Sequence, residues 1–133
     1  MKSVITALAI LLTGLSSFAH EGHDKTPGAL TAPHGGQLKG TSQLYVELVS
    51  DASGFKLYTV DHDLKTIAVK DVKIEGSVKL PKQKQSDKLA LNASESFLES
   101  KVNAKGSHRY TVDLKVTYKE KTEGVSFNVE PQE

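Results

Sequence analysis

The side chains of this 133-residue chain that could do chemistry are above all its five histidines. The common catalytic motifs do not occur: the sequence has no Gly-x-Ser-x-Gly nucleophile elbow, no glycine-rich phosphate loop after a strand and no His-Glu-x-x-His helix. The histidines are His20, His23, His34, His62 and His108. Imidazole is the commonest metal ligand among side chains, so we expect a metal-binding protein and not an enzyme.

The lack of sulfur limits which metal these histidines could bind. The chain has no Cys, and its only Met is Met1. Cu(I) prefers thiolate and thioether ligands, whereas imidazole, carboxylate, carbonyl and amine groups suit divalent ions. We therefore expect the ion to be Zn(II), Cu(II), Ni(II) or Co(II), and we expect no dedicated Cu(I) site.

Residues 1–19 have the pattern of a secretory signal peptide. A short basic start precedes an apolar run at residues 4–12, and Ser17-Phe18-Ala19 is a small-x-small cleavage sequence. The apolar run is too short to span a membrane. We expect cleavage after Ala19, export, and no membrane insertion of the mature chain. Loss of Lys2 leaves equal numbers of basic and acidic side chains, so no nucleic-acid partner is indicated.

Cleavage after Ala19 would place His20, His23 and Asp24 at a new N-terminus with the sequence His-Glu-Gly-His-Asp. Imidazole, carboxylate and amine groups packed this closely favour metal capture over a merely polar terminus. The square-planar amino-terminal copper motif needs His as the third residue, and here the histidines are first and fourth. A histidine brace, in which the amine and ring of His20 chelate Cu(II), stays open. Prolines and glycines predict that residues 20–40 form a flexible arm.

His34 follows Pro33 and precedes Gly35 and Gly36. Proline stiffens the approach and glycines allow the backbone to turn closely beneath the imidazole. This arrangement could hold one imidazole at the mouth of a β-sandwich, although a Gly-Gly turn with an incidental histidine would give the same sequence. By alternation Glu47 lies on the outer face of its strand, where it could complete a site with His34. A solvated strand carboxylate is the interpretation that we favour for Glu47.

His62 lies between Asp61 and Asp63, and His108 precedes Arg109. Two carboxylates attract a cation, so His62 is a candidate ligand, but Asp-x-Asp is also common in turns because Asp bonds its own backbone. The neighbouring cation makes His108 a poor ligand, and we expect it in a surface turn.

The pattern beyond residue 40 predicts β-structure throughout. Apolar residues alternate with polar ones at 44–48, 110–118 and 125–129. Further strands are expected at 55–60, at 66–69, at 72–80 with a kink or bulge at Gly76, and around Leu89 and Leu91. The sequence therefore predicts an all-β domain at 41–131, an immunoglobulin-like antiparallel β-sandwich of about seven strands.

The order of several short motifs resembles a known periplasmic module, the N-terminal metal-binding extension of adaptor proteins in cobalt-zinc-cadmium efflux pumps of the resistance-nodulation-division (RND) class. The motifs are the histidine-rich start, Pro-His-Gly-Gly-Gln at 33–37, Leu-Tyr-Val-Glu-Leu-Val at 44–49 and Leu-Tyr-x-x-Asp-His-Asp at 57–63. The resemblance implies periplasmic binding of a divalent metal by His34 and the N-terminal histidines, and a component of an RND-type efflux system as partner. Such adaptors continue into a helical hairpin, a lipoyl-like domain and a barrel. We expect a stand-alone relative that buffers or delivers metal.

Two other functions are compatible with the same sequence. One is an immunoglobulin-like envelope interaction or accessory domain with incidental metal binding. It would carry an apolar patch on one sheet face, for which Tyr45, Val49, Tyr58 and Val60 are the candidates. The other is a Cu(II) histidine-brace protein, which needs His20 anchored beside a second histidine.

Overall fold

The computed structural model describes residues 30–131, and nearly all regular structure in this range is β-strand. The strands are β1 (Gln37–Gly40), β2 (Tyr45–Ser50), β3 (Gly54–Val60), β4 (Thr66–Ile67), β5 (Lys73–Lys79), β6 (Asp87–Lys88), β7 (Asn92–Ala93), β8 (Leu98–Lys101), β9 (Tyr110–Tyr118) and β10 (Lys121–Val129). A single 3-10 turn at Val69–Asp71 separates β4 from β5. In this part of the chain there is no helix long and apolar enough to cross a membrane.

The strands form two antiparallel sheets. The first has the order β1-β2-β3-β8-β7, with β4 also paired to β3, and the second has the order β10-β9-β5-β6. The prediction of an antiparallel, immunoglobulin-like β-sandwich is confirmed in this two-sheet architecture. Three of the strands, β4, β6 and β7, have only 2 residues each. The five longest strands, β2, β3, β5, β9 and β10, are ones that the sequence pattern indicates.

The core lies between the two sheets and is built by alternation along β2, β3, β9 and β10. Val46 and Leu48 of β2 are 0% and 1% exposed, and Val112 of β9 and Phe127 of β10 are both 0% exposed. Burying one such side chain contributes about 1.5–3 kcal/mol. Polar side chains between these positions point outward, so each sheet has one face in the core and one outer face.

The structure differs from the sequence prediction at the N-terminal boundary of the sandwich. Residues 37–40, expected in a flexible arm, form β1 and pair with β2 from Gln37↔Leu48 to Gly40↔Tyr45. The strand is only 4 residues long and contains one apolar side chain, Leu38, which is 8% exposed. Four residues with one apolar position do not show a period of two, so the pattern gave no signal for this strand.

The predicted kink at Gly76 is also wrong. The ladder between β5 and β9 runs without interruption from Lys73↔Thr117 to Lys79↔Thr111. A Cβ atom at Gly76 would lie 2.6 Å from Cδ2 of Leu114. It would also lie 2.7 Å from the carbonyl oxygen of Asp113, which a side-chain rotation cannot relieve. Glycine is therefore needed here because β9 packs closely against this position, and the ladder of β5 stays uninterrupted.

Candidate metal-ligand site

A row of side chains crosses the outer face of the first sheet. Leu38 of β1, Glu47 of β2 and Tyr58 of β3 are direct partners in the ladders, and directly paired residues share one face of a sheet. The neighbours of Glu47 in the chain, Val46 and Leu48, point into the core. Glu47 and its partners therefore lie on the outer face, as alternation predicts.

Glu47 is nevertheless 0% exposed, because the segment that precedes β1 folds over it. Its Oε1 atom accepts hydrogen bonds from the backbone N–H groups of His34 (2.8 Å) and Gly36 (2.9 Å). Its Oε2 atom lies 2.8 Å from Nδ1 of the His34 ring. The expectation of a solvated carboxylate is wrong. Alternation identifies the face of a strand but carries no information about a loop that covers it.

The His34 imidazole lies flat on the ring of Tyr58. The two ring centroids are 3.7 Å apart and the planes differ by 9°. Tyr58 in turn contacts Phe97, at 5.7 Å between centroids, and the Lys56 ammonium lies 4.8 Å from the centre of the Phe97 ring. The His34 side chain keeps 37% of its surface exposed. The imidazole is thus held on a base of aromatic rings while one side of it faces solvent.

Two glycines allow the His34 segment to lie this close to β2. Gly35 has a φ of +75° and its N–H donates to the carbonyl of Ala32 at 3.1 Å, which closes a turn. A Cβ atom at Gly36 would lie 2.3 Å from the carbonyl oxygen of Leu48. Gly35 supplies a backbone conformation that other residues rarely adopt, and Gly36 supplies the close approach. These are the roles that the sequence suggests for the glycine pair.

The two nitrogens of the His34 ring differ in their surroundings. Nδ1 contacts the Glu47 carboxylate, whereas Nε2 has no hydrogen-bond partner within residues 30–131. The nitrogen with no such partner is the one that could bind a ligand from outside this part of the chain.

No family model, curated protein or solved structure matches this chain.

The other predicted ligands are not assembled around His34. Among the described residues, no three His, Cys, Asp or Glu side chains lie close enough together to hold one metal ion. His20, His23 and Asp24 lie outside the described residues. The structure brings together only two members of the predicted set, His34 and Glu47.

His62 lies beside another tyrosine. Its ring makes an edge contact with Tyr45, at 5.1 Å between centroids. Oδ1 of Asp61 accepts the backbone N–H groups of Asp63 and Lys65, both at 2.9 Å, so this carboxylate stabilises the turn. His108 is exposed in the loop before β9. The turn at 61–65 and the surface position of His108 agree with the sequence analysis.

The candidate apolar patch for a protein partner is largely covered. Val60 is 1% exposed, and Tyr45, Val49 and Tyr58 are half-buried. Within residues 30–131 the one large hydrophobic side chain that is exposed is Leu30, at 39%. Tyr58, expected in this patch from the sequence, instead supports the His34 ring. Its position opposite Glu47 in the ladder is the signal that could have revealed it.

Proposed function

We propose that this protein binds a divalent transition metal after export, with His34 as a fixed ligand and His20 and His23 as further ligands. The observation that carries this proposal is the 2.8 Å contact between Nδ1 of His34 and the buried carboxylate of Glu47. Histidines that ligate metals almost always place their other ring nitrogen on a carboxylate, a carbonyl or a water, which orients the ring.

The burial of Glu47 indicates that its carboxylate does more than fill space. Removing a carboxylate from water is costly unless it is paired and hydrogen-bonded. Here all the observed partners of Glu47 belong to the segment that carries the histidine, namely two backbone N–H groups and the ring of His34. The carboxylate therefore stabilises one position of one half-exposed imidazole, which is what a preorganised ligand needs.

The remaining ligands in this proposal come from the segment before residue 30. A single imidazole does not hold a metal ion firmly, and no group of three candidate ligands occurs within residues 30–131. The chain between His23 and His34 can span about 36 Å when extended, so His20, His23 and Asp24 can reach the His34 ring. His62, which lies against Tyr45 on the outer face of the first sheet, stays a candidate ligand.

The likeness of the short motifs to RND adaptor extensions supports a role in heavy-metal efflux or resistance. We propose periplasmic buffering or delivery of Zn(II), Cu(II), Ni(II) or Co(II), in which a component of an efflux system receives the metal. The absence of Cys, and of any Met other than Met1, supports divalent ions over Cu(I).

Calorimetric titration of the untagged protein that begins at His20 tests the proposal. We expect binding in the micromolar range or tighter for at least one of the four ions, weaker binding in His34→Ala, and loss of binding when His20, His23 and His34 are all replaced by Ala. His108→Ala is the matched control, because His108 is an exposed histidine that is not one of the proposed ligands. Equal affinities in all four proteins would contradict the proposal.

The same titration separates this site from a Cu(II) histidine brace. One residue added ahead of His20 removes the amine-and-ring chelate that a brace requires, but it leaves every side chain in place. We expect affinity to be largely retained. Complete loss of Cu(II) binding in this variant would favour the brace.

A further inference from the structure

We infer that Glu47 fixes the tautomer of His34, so that Nε2 is the atom that ligates the metal and Glu47 stays outside the coordination sphere. The part of this inference that concerns metal rests on the proposed function. The tautomer itself is a property of the metal-free protein and can be measured without any metal.

The hydrogen bonds around Glu47 determine which ring nitrogen carries the proton. Oε1 accepts two backbone N–H groups, and Oε2 faces Nδ1 of His34 at 2.8 Å. An ionised carboxylate can only accept hydrogen bonds. With Glu47 ionised, Nδ1 is the N–H nitrogen of the neutral imidazole, and Nε2 carries the lone pair that a metal needs.

The surroundings of the ring keep it in this orientation. One carboxylate holds both the backbone N–H and the ring of the same residue, and the ring lies 3.7 Å from Tyr58 in a stacked geometry. A ring flip would break the bond to Oε2 and bring a carbon atom against the carboxylate. The lone pair on Nε2 is consequently held in one direction before any metal arrives.

The same contacts argue that Glu47 is not a ligand. Its side chain is 0% exposed and each of its oxygens already has an N–H partner. Because the carboxylate has no exposed surface, a metal could reach it only if the segment at His34–Gly36 moved away from β2. A site built on a neutral imidazole nitrogen suits Zn(II), Cu(II), Ni(II) and Co(II), whereas Mg²⁺ and Ca²⁺ prefer oxygen ligands.

Glu47→Gln tests the assignment because it keeps the size of the side chain and reverses one hydrogen bond. The glutamine carbonyl can still accept the N–H groups of His34 and Gly36, so its amide NH₂ must face Nδ1. Nδ1 then becomes the acceptor, and the proton moves to Nε2. Glu99→Gln is the matched control, since Glu99 is exposed on the outer face of the same sheet.

Long-range ¹H–¹⁵N correlation spectra of the imidazoles report the tautomer directly. We expect His34 to be protonated at Nδ1 in the wild-type protein and in Glu99→Gln, and at Nε2 in Glu47→Gln. In calorimetric titrations with Zn(II), we expect the affinity of Glu47→Gln to fall about 10–100-fold, the usual cost of losing a partner that orients a ligand. Glu99→Gln should bind like the wild-type protein.

Several results would overturn the inference. A wild-type His34 protonated at Nε2 would show that Glu47 does not set the tautomer in this way. If Glu47→Gln reverses the tautomer of His34 but leaves the Zn(II) affinity unchanged, Glu47 does not position His34 for metal binding. If Glu47→Gln does not fold, Zn(II) added to the wild-type protein still decides, because the ¹⁵N resonance of Nε2 must then shift more than that of Nδ1. Protonation at Nδ1 without any Zn(II) binding would refute the proposed function and the assignment of Nε2 as ligand, and would leave the tautomer assignment standing.

Discussion

Glu47 and Tyr58 face each other across the β2–β3 ladder, and the imidazole of His34 contacts both of them. The carboxylate holds the edge of the ring and the phenol supports its face. A β-ladder fixes the spacing between directly opposite residues, so the sheet itself sets where the imidazole lies. The candidate ligand belongs to a loop, but its two supports belong to the most regular part of the fold.

The support of the ring by Tyr58 can be tested by a pair of variants. Tyr58→Ala removes the stacked ring, and Tyr58→Phe keeps it. Stacked aromatic pairs contribute about 0.5–1.5 kcal/mol beyond the area that they bury. We expect Tyr58→Ala to lower the hydrogen-exchange protection of the His34 and Gly36 amides, which bond to Glu47, and Tyr58→Phe to retain it. Equal protection in all three proteins would show that the stack does not hold the loop.

Alanine substitutions at Gly35 and Gly36, in the loop that carries His34, should lower the free energy of unfolding by different amounts. Gly35 and Gly106 share a φ of +75° and have open space around the Cβ position, whereas a Cβ atom at Gly36 would lie 2.3 Å from the carbonyl oxygen of Leu48. We expect Gly35→Ala and Gly106→Ala each to lower the free energy of unfolding by about 1–2 kcal/mol and Gly36→Ala to lower it by more. Urea denaturation measures all three.

Gly106 lies in the loop before β9, so Gly106→Ala also serves as the control for metal binding. We expect its Zn(II) affinity to match that of the wild-type protein, and the affinity of Gly36→Ala to be reduced. A Gly36→Ala protein as stable as the wild type would mean that the loop can move away from β2 at little cost.

Much of the fold could be predicted from the sequence. Apolar and polar residues alternate most clearly in strands that have one face in the core and the other face in solvent. The strand expected at residues 110–118 is β9, residue for residue. Strands with few apolar positions gave no such signal, as β1 shows with Leu38 alone. Gly76 was misinterpreted because a glycine in a strand has two meanings, a bend in its own backbone or space for a neighbour. Only the packing of β9 against this position, at Leu114 and at the carbonyl oxygen of Asp113, decides between them.

The candidate site could be predicted in part. Pro33, Gly35 and Gly36 indicate an unusual loop around His34, and alternation places Glu47 on the outer face of β2. What brings them together is the path of the loop over the sheet, a contact between residues separated by 13 positions. Neither local propensity nor periodicity reports such a contact. For this reason a carboxylate that alternation assigns to solvent is one of the fully buried side chains.

Tyr110 carries a buried hydroxyl that has no hydrogen-bond partner within the described part of the chain. Burial, with a smaller contribution from the charge of Asp51, raises the pKa of this phenol to about 12 from its ordinary value of 10.0. The folded protein therefore holds the phenolic proton more tightly than the unfolded chain does. Between pH 10 and about 12 the unfolded state loses this proton first, so the contribution of Tyr110 to stability falls as the pH rises through that window.

Tyr110→Phe removes the hydroxyl and keeps the ring in the core. An unsatisfied buried polar group costs about 1–3 kcal/mol, so we expect Tyr110→Phe to equal or exceed the wild-type protein in its free energy of unfolding at pH 7. We also expect the variant to lose less stability between pH 9 and pH 11 than the wild type. Urea denaturation at these pH values gives both results. Tyr118→Phe is the control, because Tyr118 is only half-buried at the end of the same strand. A marked loss of stability at pH 7 in Tyr110→Phe alone would show that the hydroxyl has a partner that stabilises the fold.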